Sequence, residues 1–291
     1  MTDKELSIVI GSYNRKKFLI STIKSIRTNG IVGDYELIVV DGGSTDGSLQ
    51  WLLKQKDIIT IVQHNRGTFN GKPIIKRSWG YFMNLAFKAA MGKYILMLSD
   101  DCLVTPGSIS RGTQHFNLLI DSGRKVGALA FYWRNWPEQE DFMVGLTFGR
   151  IFVNHGLYLR TALEEINFID ESYHFYHADG DLSLRLLQAG YEVLETPDSY
   201  VEHFTHANIQ VRQSNLVKQH EDWDKYNLKW GGLENQAEPS GNKISKSYSD
   251  TTNTYLNFPA LERRAISYNE MKLKLRGKLS SLFLKFFYKY K

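Results

Sequence analysis

The chain predicts an α/β fold, a mixed and mostly parallel sheet with flanking helices, followed by a helical C-terminal region. Three observations carry this. Short β-branched runs alternate with helix-period segments through the first half of the chain, the pattern of crossover units. Each run ends in a polar, turn-rich segment: GSYNR, DGGSTDGS, QHNRGTFNGK and SDDC. A hydrophobic content of 42% over 291 residues supplies one large packed domain plus a smaller appendage and argues against disorder.

Strands are predicted over 6–10, 36–40, 58–62 and 94–98, each a short β-branched or apolar run. Between them, 16–27 places Phe18, Leu19, Ile23 and Ile26 at helical spacing, and 47–53 and 78–91 give two more helices. Ligands of open α/β sheets bind beyond the carboxyl ends of the strands, so the four polar segments should gather at one edge. Past Ser108 the pattern is mixed, with a helix over 110–120, a strand over 126–132 and the aromatic loop FYWRNWPE. Residues 181–189 read as a helix stopped by Gly190 and followed by a strand over 191–195. Residues 210–230 read as a helix, 234–257 as a polar Ser/Thr/Asn-rich stretch, and 261–291 as a basic helical tail.

The single cysteine, Cys102, excludes a disulfide framework and a cysteine-based zinc cluster, and suits a reducing compartment. The first five residues are polar and every apolar run is far shorter than the ~20 residues of a membrane span. A cytoplasmic protein is expected. The net charge of +5 is not spread as a nucleic-acid-binding stripe, because much of the basic excess follows Glu270: Lys272, Lys274, Arg276, Lys278, Lys285, Lys289 and Lys291. Among those lysines, Leu279, Leu282, Phe283, Phe286, Phe287 and Tyr290 recur at helical spacing. Such a helix suits the anionic surface of the inner leaflet, so peripheral attachment at the cytoplasmic face is expected, with docking on protein as the other reading.

Asp41 ends an apolar strand just before GGSTDGS. A carboxylate there accepts from the imide N–H of uracil or thymine or from the amino face of guanine, and the other reading is a cap for the following helix, which is preferred for Asp46. The segments SIVIGSYNR, ELIVVDGGSTDGS, YILMLSDDC and ADGDLSLRLLQAGYEVLETPDSYVEH, in that order, resemble the family 2 glycosyltransferases, whose members share the GT-A fold. The resemblance covers 6–204 and leaves the last third undiagnosed.

The resemblance implies a GT-A-like catalytic domain over 1–206, with a nucleotide-sugar half over 1–105, an acceptor half over 106–206 and a helical region over 207–291. It implies an inverting transfer of sugar from a nucleoside-diphosphate sugar to a hydroxyl of a glycan or lipid-linked saccharide, in cell-surface polysaccharide synthesis. Ser12, Tyr13, Asn14, Arg15 and Asp41 match the base-binding positions. SDDC is the counterpart of the DXD motif, with Asp101 as ligand of Mn²⁺ or Mg²⁺, Asp100 as the middle residue, and Ser99 where the family carries an acid. Asp179 matches the catalytic base, although Ala178 replaces the preceding Glu, and Asp181 reads as an N-cap or first-turn charge. His203 matches a metal or diphosphate ligand, and Asn84 sits where the family has an ARNxG motif that Met83 and Ala86 break. Trp133, Arg134, Asn135 and Trp136 offer flat rings beside hydrogen-bonding groups, which suits a saccharide, and His177 flanks the acceptor side. Two rivals stay open: a nucleotidyltransferase, for which the Gly-rich basic loop is missing, and a non-catalytic glycan-binding or scaffold protein with a decayed site.

Overall fold

The computed structural model describes residues 4–135, 139, 141–204, 218–236 and 243–246. In chain order the elements are β1 (Leu6–Ser12), α1 (Lys16–Arg27), β2 (Tyr35–Asp41), α2 (Ser48–Leu52), β3 (Ile58–Val62), the hairpin β4 (Thr68–Phe69) and β5 (Lys72–Pro73), α3 (Trp79–Ala89) and β6 (Tyr94–Ser99). There follow β7 (Cys102–Val104), α4 (Ser108–Asp121), β8 (Val126–Asn135), β9 (Phe142–Thr147), β10 (Arg150–Ile151), β11 (Gly156–Leu159), α5 (Arg160–Glu165), α6 (Ala178–Gln188) and β12 (Glu192–His203). Helix α7 (Gln219–Trp230), a 3₁₀ turn (Gly231–Gln236) and β13 (Lys243–Lys246) complete the described chain.

Strands β3, β2, β1 and β6 lie side by side and parallel, as the crossover pattern predicts. Strand β11 runs antiparallel between β6 and β8, and β12 is parallel to β8. The sheet has a core on each face, which is why its central strands read as continuous apolar runs. On one face Ile8, Ile10 and Leu96 pack against Leu19 and Ile23 of α1 and Ile109 and Phe116 of α4. On the other, Val9, Ile95 and Met97 meet Met83 and Phe87 of α3 and Leu182 and Leu186 of α6.

Two departures from the sequence expectation shape the site. Strand β12 does not stop at residue 195 but continues, through register shifts, to His203. It pairs there with β7, a three-residue strand that follows SDD, so His203 stands opposite Cys102 on one side and Asn135 of β8 on the other. Residues 243–246, in a stretch whose polar composition predicts no element, pair antiparallel with β9 and cover the edge that β9 would leave open. The C-terminal region thus contributes a strand as well as a helix. No described helix is long and apolar enough to cross a membrane. Trp136 and the basic tail over 261–291 lie outside the described residues.

Candidate active site

The carboxyl ends of β1, β2 and β6 converge on one cleft. After Ser12 the chain turns through Asn14 in the left-handed region, φ 52°, a conformation that Asn tolerates. Arg15 follows at the N-cap of α1, and its Nη1 donates to Asp100 Oδ1 at 2.8 Å and to Asp101 Oδ2 at 2.7 Å. Ser12 Oγ donates to Asp100 Oδ2 at 2.8 Å. Both carboxylates are buried. Burial pushes the Asp100 carboxyl up, the adjacent Asp101 charge adds to it, and Arg15 opposes both. Burial would raise Asp101 too, but Arg15 outweighs it and holds that carboxyl below the usual range.

Asp101 Oδ1 is buried with no hydrogen-bond partner, and His203 Nε2 lies 3.5 Å from it. On the other side of the ring, His203 Nδ1 is 3.0 Å from Asn135 Oδ1. An amide oxygen only accepts, so Nδ1 carries the proton and the lone pair on Nε2 faces Asp101. Two electron-pair donors face each other across a gap too long for a hydrogen bond, which is the arrangement a cation fills. The residues present therefore fit a divalent ion, which Asp101 and His203 would hold.

Asp41 is fully buried; its Oδ1 accepts from Gly43 N at 2.9 Å and Ser44 N at 2.7 Å, while Oδ2 has no partner. The carboxylate thus folds the DGGS turn and keeps an acceptor in reserve. Gly43 has φ +85°, and a Cβ there would meet the His64 ring at 2.4 Å, so the turn admits only glycine. Asn14 N donates to Ser44 Oγ and Asn14 Oδ1 accepts from Thr45 N, joining the two loops. Asp46 accepts from Ser48 N and Oγ at the start of α2.

Asp179 and Asp181 share the first turn of α6, whose N-cap, His177, sits at φ 64°. Asp179 accepts from Asn154 Nδ2 at 3.2 Å and from Gly180 N at 2.9 Å, and burial raises its pKa. Asn154 lines the cleft, so it links this carboxylate to the same space as Asp100. Asp181 is not an N-cap. Its buried carboxylate takes Arg185 Nε at 2.7 Å, Lys229 Nζ at 2.7 Å and Trp230 Nε1 at 2.9 Å, bolting α6 to α7. Gly180 leaves room for this packing, since a Cβ there would come 2.8 Å from Tyr226 Oη.

Of the other predicted residues, Trp133 stands edge-on to both His155 and His203, and Arg134 is held by buried Glu202 and lies over the Phe142 ring. His177 stacks on Tyr226 and packs beside Trp223. Asn84 is buried and joins α3 to the 169–171 segment through Ile169 and Glu171. Ser12, Tyr13, Arg15, Ser99 and Asp100 line the cleft.

Several cleft residues do not stand out in the sequence. Arg66, Lys76 and Arg77 line it from the loop between β3 and α3, with Arg66 over the Tyr13 ring and burial, then Arg66, lowering the Lys76 pKa. Arg66 lies inside the turn-rich QHNRGTFNGK and Lys76 and Arg77 follow it, but only the fold shows which way they face. Asp222 of α7 is equally unannounced: its buried carboxylate accepts from the backbone N–H of His174, Phe175 and Tyr176 at 2.7, 2.9 and 2.9 Å. It fixes a segment whose His174 and Phe175 also line the cleft.

The parallel β3-β2-β1-β6 sheet with a carboxylate-lined cleft at its carboxyl edge is a GT-A fold, and solved structures agree. Staphylococcus aureus TarS superposes with a TM-score of 0.54 at 14% identity, covering 74% of this chain and 39% of that one. The mannosyltransferase PcManGT from Pyrobaculum calidifontis, solved with GDP-Man and Mn²⁺, gives 0.52 at 17% identity over 69% of this chain and 56% of that one. Residues 7–119 match the sequence model of glycosyl transferase family 2. A chondroitin synthase of Escherichia coli is 32% identical over 105 residues, which is 35% of this chain and 14% of the synthase. The matched segments span a third or less of the curated relatives.

Proposed function

We propose that the chain transfers a sugar from a nucleoside-diphosphate sugar to a hydroxyl of a saccharide or lipid-linked saccharide acceptor, with inversion, in polysaccharide synthesis. The observation that carries the reading is the cation-shaped gap between Asp101 Oδ1 and His203 Nε2 beside a cleft lined by Arg15, Arg66, Lys76 and Arg77. A diphosphate is the ligand that uses both. The base of the donor lies against the loops of Ser12, Tyr13, Asn14 and Asp41, whose Oδ2 accepts an imide or amino N–H. The structural neighbours agree with such a donor: TarS was solved with UDP and PcManGT with GDP-Man.

The divalent ion, Mn²⁺ or Mg²⁺, supplies charge neutralisation at the leaving diphosphate when bound. The chain does the rest. Arg66, Lys76 and Arg77 hold the diphosphate oxygens, and Asn154 orients Asp179. Asp179 takes the proton of the acceptor hydroxyl as its oxygen bonds to the anomeric carbon and the bond to the diphosphate breaks. Trp133, Arg134, Trp136 and His177 are assigned to the acceptor side. The chain is read as a peripheral protein at the cytoplasmic face, held by the basic tail.

A thermal-shift panel of UDP, dTDP and GDP with and without Mn²⁺ tests the reading. One nucleotide at 100 times its dissociation constant stabilises the native state by about 2.7 kcal/mol. The shift should need Mn²⁺ and vanish in Asp101→Ala. A nucleotide shift of equal size in EDTA removes the cation role, and no shift with any nucleotide removes the donor.

A further inference from the structure

Next to Asp101 and His203 lie two donors that the transfer reading does not use. Cys102 Sγ is 3.7 Å from His155 Nε2 and 3.9 Å from His155 Nδ1, so the sulfur addresses the ring edge without a short bond to either nitrogen. Both residues are fully buried, and no other hydrogen-bond partner of the His155 ring is found among the described residues. The metal-ligating atoms of Cys102, His155 and His203 all fall within 4.8 Å of one another.

The register explains the convergence. The β7–β12 pairing sets His203 opposite Cys102, and the His155 and His203 ring centroids are 5.4 Å apart. The Trp133 ring stands edge-on to both histidines. Around one point there are a sulfur and two imidazoles, and Asp101 Oδ1, which has no hydrogen-bond partner, lies 3.5 Å from the His203 ring. A buried acceptor without a donor calls for an ion or a proton.

We propose that Cys102, His155 and His203 form a thiophilic metal site, selective for Zn²⁺ over the harder Mg²⁺ and Mn²⁺. With Zn–S about 2.3 Å and Zn–N or Zn–O about 2.0–2.1 Å, a tetrahedral site puts S···N about 3.6 Å apart and N···O about 3.4 Å apart. The observed 3.7 Å for Cys102–His155 is already near that S···N edge. A small inward shift of His203, whose side chain is 20% exposed, closes the remainder. Asn135 holds the His203 Nδ1–H, the outer hydrogen bond that metal-bound imidazoles use. Binding exchanges the Cys102 thiol proton, which leaves to solvent, for the metal–sulfur bond. Because His203 belongs to both sites, Zn²⁺ held there displaces the hard cation of the donor site. The lone cysteine rules out a multi-thiolate cluster but supplies the one sulfur this mixed site needs.

Cobalt(II) is the probe, and no donor, acceptor or transfer activity enters the readout, so the result is separable from the transfer reading. Titrating the metal-free full-length chain with Co²⁺ should give a near-ultraviolet sulfur-to-cobalt band and the intense visible bands of a tetrahedral ion, both abolished by one equivalent of Zn²⁺. In Cys102→Ser the near-ultraviolet band should be lost and Zn²⁺ affinity should fall at least about tenfold. His155→Gln, which leaves the sulfur in place, should show the same affinity loss and covers the case in which Cys102→Ser fails to fold. A weak octahedral-type spectrum in the native chain, or Zn²⁺ affinity unchanged in either folded variant, overturns the proposal.

Discussion

Replacing Asp179 by Asn separates the chemistry of α6 from its architecture, and Asp181→Asn, one half-turn on, is the control. Asp179 accepts from Asn154 and Gly180 and forms no ion pair among the described residues. An amide of the same shape keeps the acceptor oxygen but cannot take a proton, so kcat should fall by about 10²- to 10⁴-fold, or about 3–5 kcal/mol of barrier. Burial raises the folded-state pKa of Asp179 above its unfolded value. The stability it contributes is therefore complete below the unfolded pKa and lost as pH rises through the folded one, so at neutral pH the charge is a burden. Asp179→Asn removes that burden but turns one of the two accepting oxygens into an NH₂ that faces a donor, so its Tm should be little changed. The acid limb of the native rate profile should likewise lie above the usual carboxylate range. Asp181→Asn instead leaves Arg185 and Lys229 without their buried counter-charge. Breaking a buried pair costs about 3–5 kcal/mol, and since Lys229 reaches solvent and Asn still accepts from Trp230, the lower end applies. At about 2–4 °C per kcal/mol, that is a Tm loss of about 6–12 °C. Calorimetric donor affinity, Tm and single-turnover rates on both variants decide the matter. Near-normal turnover in Asp179→Asn with a dead Asp181→Asn assigns the base wrongly, and normal turnover in both refutes the single displacement.

The other predictions concern the parts that frame this chemistry. Asp222→Ala strips the acceptor from three backbone N–H groups of 174–176, each worth about 1–3 kcal/mol when buried, so Tm should fall by several degrees and KM rise more than kcat drops; steady-state kinetics with unchanged KM would leave Asp222 a purely structural clamp. Lys76→Met removes a partly desolvated cation from the cleft and should weaken binding of a nucleoside diphosphate by about tenfold or more while leaving the matching nucleoside unaffected, as calorimetry with each ligand will show; equal losses for both would place Lys76 at the base instead. Deleting 278–291 removes Lys278, Lys285, Lys289 and Lys291, each worth about 1 kcal/mol near anionic lipid, and should release the chain from anionic liposomes in flotation without lowering Tm. Undiminished flotation of the truncated chain rejects the tail as an anchor.

The sequence by itself determined the parallel half of the sheet and the loops that line the cleft. Hydrophobic runs between turn-rich segments are local signals, and the alternation of strand and helix permits few arrangements, so Ser12, Arg15, Asp41, Asp100 and Asp101 fell at strand ends as their positions predicted. The same locality explains Asp46, whose bonds stay within two residues apart from that to Lys16. What only the tertiary structure decided are pairings between residues far apart in the chain. Strand β12 reaches His203 because β7 and β8 supply backbone partners, a contact no period in SYVEH reveals. Asp181 reads as a helix-start charge in its own segment, yet its partners Lys229 and Trp230 come from α7, so the carboxylate holds two elements together. Lys76 and Asp222 carry no local pattern at all, because a lone charge in a loop or helix acquires its role only from what the fold sets against it. Local propensity names the elements and their ends; desolvation and cross-strand register, which depend on the whole packed chain, decide which carboxylate oxygen is left without a partner and which is already taken.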